Sequence, residues 1–255
     1  MASIHNTLRF ALLRNNLCTP KRTVRFLHKH QVLVNGVQVF SDDVSFNASS
    51  DSLSVDGKII PVKKEIYFMM NKQKGRTCSK SQKDYFGKDQ PTVYDDIPTD
   101  FIPQEERKSI HTVGRLDHDT EGLLLFTSDG LLSHELSSPL FHVTKTYLVT
   151  LEKDFSDEEK NKVCALFNEG IWLPHFRGEH GFKTKSARVC WLSPRECSLE
   201  ISEGKFHQVK RMFHAVQNEV VALKRIAMGE LMLDEKLKPG ECRFLSEEEI
   251  LLLLR

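Results

Sequence analysis

The first sixty residues alternate between helical and strand-like spacing of apolar positions. Apolar side chains three and four residues apart predict an amphipathic helix over residues 6–17, and a second helix is predicted from about residue 20. Asn35–Gly36 then separates two runs of β-branched residues, which predicts a hairpin because both central positions of its turn need positive φ. A further strand is expected at 52–55. These elements predict a small unit that ends near residue 60.

From residue 66 onward the pattern predicts a larger domain, after a linker at 61–65. Residues 72–112 are polar and broken by prolines, so no long element is expected there. Apolar alternation or continuous apolar runs predict the strands, at 66–71, 123–127, 145–151 and twice within 186–201. Helical spacing and capping residues predict the helices, at 156–167, 208–218 and from 246 onward. This mixture of predicted strands and helices indicates an α+β fold.

Charge changes this picture at one end of the chain. The 255 residues carry a formal net charge of +1, yet residues 1–40 hold six basic residues and no acidic one. Four of these basic residues belong to the second predicted helix: Lys21, Arg22, Arg25 and Lys29. Such a stripe is either a solvated helix face or a surface for phosphates, and the lack of nearby acids in the sequence favours phosphate binding.

Several classes of protein find no support in the sequence. The six cysteines show no Cys-x-x-Cys spacing, and no group of histidines has the spacing of metal ligands. No phosphate-binding glycine loop or dinucleotide fingerprint occurs. No secretory signal or membrane-length apolar run is found. We therefore expect a cytoplasmic protein without metal or cofactor.

The run Gly114–Gly130 places a basic residue, several carboxylates and two glycines just ahead of a short apolar strand that ends in a turn. Asp117 lies in the loop before this strand, where its carboxylate can reach a cleft while the strand anchors the loop. Three further acids, Asp119, Glu121 and Asp129, are interpreted as turn formers, caps or surface charges. Most loop aspartates are structural in the same way, because aspartate favours turns, so Asp117 needs support from elsewhere in the chain.

Two later segments supply that support. Lys205, His207, Lys210 and Arg211 stand at the start of the predicted helix 208–218, where cations oppose the helix dipole. They are therefore expected to bind phosphate or a carboxylate such as Asp117, the alternative being a basic solvated face. In the predicted strand 145–151, Tyr147 either packs in the core or stacks on a base.

In this order, the three segments resemble the motifs of pseudouridine synthases of the small-subunit ribosomal RNA (RsuA) type. The resemblance covers nearly the whole chain and rests on Gly114–Asp117 with the following Thr120 and Gly122–Leu124, on Lys145–Tyr147, and on Glu203–Met212. It implies a catalytic domain over 66–255 with a mixed, mainly antiparallel sheet.

The amino-terminal residues 1–60 resemble a small α-L RNA-binding domain first named from a small-subunit ribosomal protein. Thr7–Phe10 stands where related chains often have an Arg-Leu-Asp-Lys-like run, and it lacks the acidic residue.

The resemblance further implies that the chain isomerises a specific uridine of 16S ribosomal RNA to pseudouridine without cofactor or metal. Asp117 matches the essential aspartate, Lys210 its basic partner, and Tyr147 the residue that stacks on uracil and assists proton removal from C5. Asp117 either attacks the sugar or removes a ribose proton to give a glycal, and the sequence leaves both open. Leu123 or Leu124 would line the pocket. Contacts with RNA are expected from Arg115, Lys21, Arg22, Arg25, Lys29, Lys205, His207 and Arg211.

Three alternatives compete with this interpretation: a synthase for large-subunit ribosomal RNA, a non-catalytic RNA-binding assembly factor, and a glycosidase acting on free nucleosides. The intact set of three motif residues argues against an assembly factor, and a glycosidase would not need the basic amino-terminal domain. The partner expected is ribosomal RNA or a small-subunit assembly intermediate, bound by a monomer in a bacterial cytoplasm with no membrane contact.

Overall fold

The computed structural model describes residues 7–15, 17–19, 21–47, 50–61, 65–83, 86–138, 143–176 and 180–253. The chain divides into two compact units, of which the second spans Tyr67–Leu253. Pro20, predicted near the start of the second helix, and positions 62–64 of the predicted linker lie outside the described residues.

The first unit contains two short helices and a four-stranded antiparallel sheet in the order β2-β1-β3-β4. Its elements are α1 Leu8–Arg14, α2 Thr23–Lys29, β1 Val32–Val34, β2 Val37–Gln38, β3 Leu53–Val55 and β4 Lys58–Ile60. The predicted hairpin is confirmed, with Asn35 at φ 51° and Gly36 at φ 80°. Leu8, Leu12 and Leu27 form the centre of its core.

The second unit is built on a large mixed sheet in the order β11-β12-β8-β13-β7-β5-β15, with β14 on β13 and β6 on β7. Its strands are β5 Tyr67–Lys72, β6 His111–Thr112, β7 Glu121–Thr127, β8 Lys145–Leu151, β9 Trp172–Leu173, β10 Phe182–Lys183, β11 Arg188–Trp191, β12 Glu196–Ile201, β13 Val220–Met228, β14 Leu231–Met232 and β15 Cys242–Phe244. Its helices are α3 Gly130–Ser137, α4 Asp157–Glu169, α5 Gln208–Ala215 and α6 Glu247–Leu253. Among the strand pairs of the described residues, β7 with β13 is parallel and the others are antiparallel. The expected α+β fold with a mainly antiparallel sheet is confirmed.

Local sequence signals located the starts of α4, α5 and α6. The hydroxyl of Ser156 accepts from the backbone N–H of Glu159, whose carboxylate accepts in return, so the predicted capping box of α4 is present. The same reciprocal pair forms between Ser246 and Glu249 before α6. The predicted apolar face of α5 is buried through Val209, Met212 and Phe213.

Other predictions need correction. The helix α3 was not predicted, and Asp129–Gly130, interpreted as a turn, forms its start. The Asp129 carboxylate caps α3 by accepting hydrogen bonds from two backbone N–H groups. The long strand β13 was also missed, because Lys224 and Arg225 interrupt its apolar alternation. Arg225 is nevertheless only 2% exposed, so the sheet buries a cation within this strand. None of the helices in the described ranges is long and apolar enough to cross a membrane.

Candidate active site

A buried lysine holds the backbone of the Asp117 loop. Lys72, fully buried at the end of β5, donates its ammonium group to the carbonyl oxygens of Asp117 (3.0 Å), His118 (3.3 Å) and Thr120 (2.8 Å), and to that of Gln73 (3.1 Å). Burial lowers the pKa of Lys72 below its usual value. Sequence reasoning missed this residue, because a lysine at a strand end is normally solvated.

The exit of the loop into β7 requires glycine. Gly122 has φ +101° and lies beside Arg225 of β13, and a Cβ built on it would stand 2.2 Å from the Arg225 carbonyl oxygen. The Arg225 guanidinium donates through Nε to the carbonyl of Leu123 at 2.8 Å. The parallel pair β7–β13 therefore fixes where the loop ends and the strand begins.

The Asp117 carboxylate faces two basic side chains of the α5 segment. Lys210 Nζ lies 3.6 Å from Asp117 Oδ2, and His207 Nε2 lies 3.7 Å from Asp117 Oδ1. Lys210 is closer to a second acid, with its Nζ 2.5 Å from Asp119 Oδ1. Burial raises the pKa of Asp119, but the hydrogen bond and charge of Lys210 outweigh it, so this pKa lies below its usual value. Asp119, interpreted from the sequence as structural, thus shares the cation expected for Asp117.

A buried polar pair orients the start of α5. Glu203 Oε1 accepts from the side-chain amide of Gln208 at 2.7 Å and from the backbone N–H of Lys185 at 2.9 Å. Gln208 Oε1 in turn accepts from the backbone N–H of Lys205 at 3.0 Å. His207 then adopts the left-handed conformation, φ 49°, at the N-cap position. This arrangement directs the His207 and Lys210 side chains to Asp117.

Asp117, His207 and Lys210 all line one pocket of about 670 Å³. Its walls include six of the residues predicted for the site: Arg115, Asp117, Tyr147, Lys205, His207 and Lys210. Tyr147, 8% exposed, forms part of an apolar wall with the buried Ile201 and Leu223. The polar segment after β5 adds Cys78, for which the sequence offered no role. A pocket that combines a carboxylate, a lysine and a histidine with an apolar wall can hold a planar base next to a reactive anion.

Comparison with known proteins now identifies the family. Residues 66–215 match the family model described as RNA pseudouridylate synthase. The chain belongs to this family. It is 39% identical over 232 residues to the ribosomal small subunit pseudouridine synthase A of Haemophilus influenzae, covering 91% of this chain and 92% of that one. The protein of the same name from Escherichia coli K12 is 44% identical over 186 residues, 72% of each chain.

A solved structure supports the fold of a family member. A chain described as "Crystal structure of pseudouridylate synthase" superposes with a TM-score of 0.65 at 37% identity, covering 97% of this chain and 99% of that chain. The resemblance inferred from the three motifs is confirmed at the level of the family.

Three predicted site residues of the second unit lie away from this pocket. Leu123 and Leu124 are fully buried in β7 and do not line it. Arg211 points elsewhere, with its guanidinium donating to the carbonyl oxygens of Pro174 (2.6 Å) and Phe206 (3.3 Å).

The predicted basic face of α2 lies in the first unit. Arg22, Arg25 and Lys29 line a hollow of about 730 Å³ together with Phe26 and His30, whose rings stack at 4.3 Å. Lys21 is exposed just before α2 and is not part of this lining.

Within the described ranges, no cluster of three or more His, Cys, Asp or Glu side chains has an arrangement that could hold a metal ion.

Proposed function

We propose that this protein isomerises a specific uridine of 16S small-subunit ribosomal RNA to pseudouridine, and that Asp117 carries the chemistry. The observation that supports this most strongly is the single pocket in which Asp117, Tyr147 and Lys210 meet from three distant segments. The names of the two bacterial relatives favour the small subunit over the large subunit as the source of the RNA.

The reaction exchanges one bond of the ribose for another. The bond from C1′ to N1 of the uracil breaks, the uracil turns, a bond from C1′ to C5 forms, and C5 loses its proton while N1 gains one. Asp117 either attacks the sugar or removes a ribose proton, and both roles need its carboxylate ionised. Lys210 and His207 lie within 3.7 Å of its two oxygens, so two basic side chains flank the reacting carboxylate.

Tyr147 has the position and chemistry to receive the uracil. Its ring, with Ile201 and Leu223, offers the apolar wall on which a planar base stacks, and its hydroxyl can assist removal of the C5 proton. The uridine must first leave its own stack, which costs a few kcal/mol. Exposed Arg115 and Lys205 at the pocket offset part of that cost by contacting the phosphates of the extruded nucleotide.

The remaining parts of the proposal concern partners. The first unit, at residues 1–60 by its sequence resemblance, binds RNA through the α2 hollow lined by Arg22, Arg25 and Lys29, with Lys21 beside it. Arg211, which lies outside the pocket lining, contributes a further positive charge for contact with RNA. The protein acts as a monomer in a bacterial cytoplasm, on ribosomal RNA or an assembly intermediate, and needs no cofactor.

Replacing Asp117 with asparagine tests the proposal. Asp117→Asn keeps the size of the side chain but removes its capacity as nucleophile or base, so we expect pseudouridine formation to fall at least about 100-fold. Tritium release from 16S transcripts labelled at C5 of uridine measures this, while filter binding should show retained RNA affinity. Asp157→Asn, an exposed carboxylate on α4, is the matched control. An active Asp117→Asn protein would contradict the assignment.

A further inference from the structure

Three aromatic rings form a row that ends at the catalytic pocket. The rings of Phe176 and Phe206 stack with centroids 6.2 Å apart and planes 26° apart. Phe206 stacks in turn on His207, at 3.9 Å and 15°. His207 Nε2 lies 3.7 Å from Asp117 Oδ1, and both Phe206 and His207 line the pocket. The row therefore leads from the surface directly to the proposed catalytic carboxylate.

The outer end of the row is held in place by Arg211. Phe176 follows β9 in the two-stranded sheet β9–β10, apart from the main sheet. The Arg211 guanidinium donates to the carbonyl oxygens of Pro174 and Phe206, and it lies over the rings of Phe176 (5.7 Å) and Phe182 (5.2 Å). These contacts tie this small sheet to the start of α5, so the spacing of the row is set by the fold.

The row combines exposed aromatic surface with positive charge. Phe176 is 39% exposed although a phenylalanine gains free energy by burial. Arg211 lies over its ring, and the Lys205 ammonium group lies 5.1 Å from the centroid of the Phe182 ring, which Arg211 also contacts. Proteins bind single-stranded nucleic acid with aromatic rings interleaved with cations, because the rings stack on the faces of the bases and the cations contact the phosphates.

We infer that the Phe176 end of this row stacks on the base of a nucleotide adjacent to the target uridine, in an unpaired segment of the substrate RNA. The inference rests on the proposed function and adds a binding site to it. When the uridine enters the pocket, its neighbour loses a stacking partner. A ring held about two ring spacings from His207 supplies a replacement partner and thereby offsets part of the cost of extrusion. Lys205 and Arg211 contact the phosphates of the same segment.

The test combines protein variants with modified RNA. Phe176→Leu keeps an apolar side chain and removes the ring, whereas Phe176→Tyr keeps the ring. The RNA is a 16S fragment that the wild-type protein modifies, prepared intact and with a single abasic nucleotide on either side of the target. We expect one of the two abasic RNAs to bind the wild-type protein about tenfold more weakly than the intact RNA.

The variants should separate stacking from folding. Phe176→Leu should bind intact RNA about tenfold more weakly and raise KM with a smaller effect on kcat, and it should be insensitive to the abasic change. Phe176→Tyr should behave like the wild type. Leu192→Ala, an exposed apolar residue after β11 and outside the pocket, is the control for loss of surface and should leave both affinities unchanged.

Two results would overturn the inference while the proposed function stands: wild-type protein that binds both abasic RNAs as tightly as intact RNA, or an equal abasic penalty in wild type and Phe176→Leu. The comparison of intact and abasic RNA with the wild-type protein tests the inference even if Phe176→Leu fails to fold. A wild-type protein that forms no pseudouridine in any 16S fragment would instead contradict the proposed function, and the stacking site would fall with it.

Discussion

At the scale of single residues, Lys210 is shared unequally between two carboxylates. Its ammonium group is 2.5 Å from Asp119 and 3.6 Å from Asp117. A close charge-assisted hydrogen bond would occupy the lone pairs of a reacting carboxylate and lower its basicity. In the proposed reaction, Asp119 takes that close contact and leaves the Asp117 oxygens available for the ribose.

Lys72 offers a test of how the loop backbone is positioned. Its ammonium group donates hydrogen bonds to four carbonyl oxygens in a fully buried site, so Lys72→Met leaves these acceptors without their donor. We expect the free energy of unfolding to fall by about 2–4 kcal/mol and the amide of Thr120 to exchange faster with deuterium. Denaturant unfolding and hydrogen exchange measure the two effects.

The neighbouring exposed lysine provides the matched control for Lys72. Lys74 is half exposed and forms a 3.6 Å ion pair with Glu121, so Lys74→Met should change stability by less than about 1 kcal/mol. Equal effects of the two substitutions would show that Lys72 does not hold the loop.

At the scale of elements, the parallel contact between β7 and β13 decides the geometry of the loop exit. Gly122→Ala would add a methyl group 2.2 Å from the Arg225 carbonyl at a φ of +101°. We expect a loss of at least about 2 kcal/mol of stability, measured by thermal or denaturant unfolding, together with reduced activity. Gly130→Ala is the control, since its Cβ would meet open space at the first position of α3. Alanine there should cost nothing, because it is the better helix former.

Elements also show where local sequence signals suffice. The Asn35–Gly36 turn and the capping boxes before α4 and α6 are stabilised by neighbours in sequence, and all were predicted correctly. The two-residue strands β6, β9, β10 and β14 were not predicted, because pairs this short have no period to detect. They exist only because a partner strand lies beside them.

At the scale of the whole molecule, the charge distribution predicts how the protein binds RNA. Replacing Arg22, Arg25 and Lys29 by alanine removes three cations of the α2 hollow. Because each phosphate contact contributes about 0.7–0.9 to the slope of log affinity against log salt, the slope should become shallower by about two. Filter binding of 16S fragments between low and moderate salt measures it.

A triple variant of the second unit controls for net charge. It replaces exposed lysines outside the pocket, Lys153, Lys162 and Lys236. This variant has the same charge as the α2 variant and should keep the wild-type slope. An equal change of slope in both would contradict a specific role for the first unit in RNA binding.

The sequence by itself determined the family and the α+β class and predicted the site residues Asp117, Tyr147 and Lys210, because motif chemistry and capping are encoded by residues close together in the chain. Tertiary structure decided what those residues meet. Lys72 and Arg225 are buried and donate hydrogen bonds to backbone carbonyl oxygens. Leu123 is buried in the sheet, and Asp119 is the nearest carboxylate to Lys210. Phe176 was brought into one aromatic row with Phe206 and His207. Each of these outcomes depends on contacts between segments far apart in sequence, which no local pattern records.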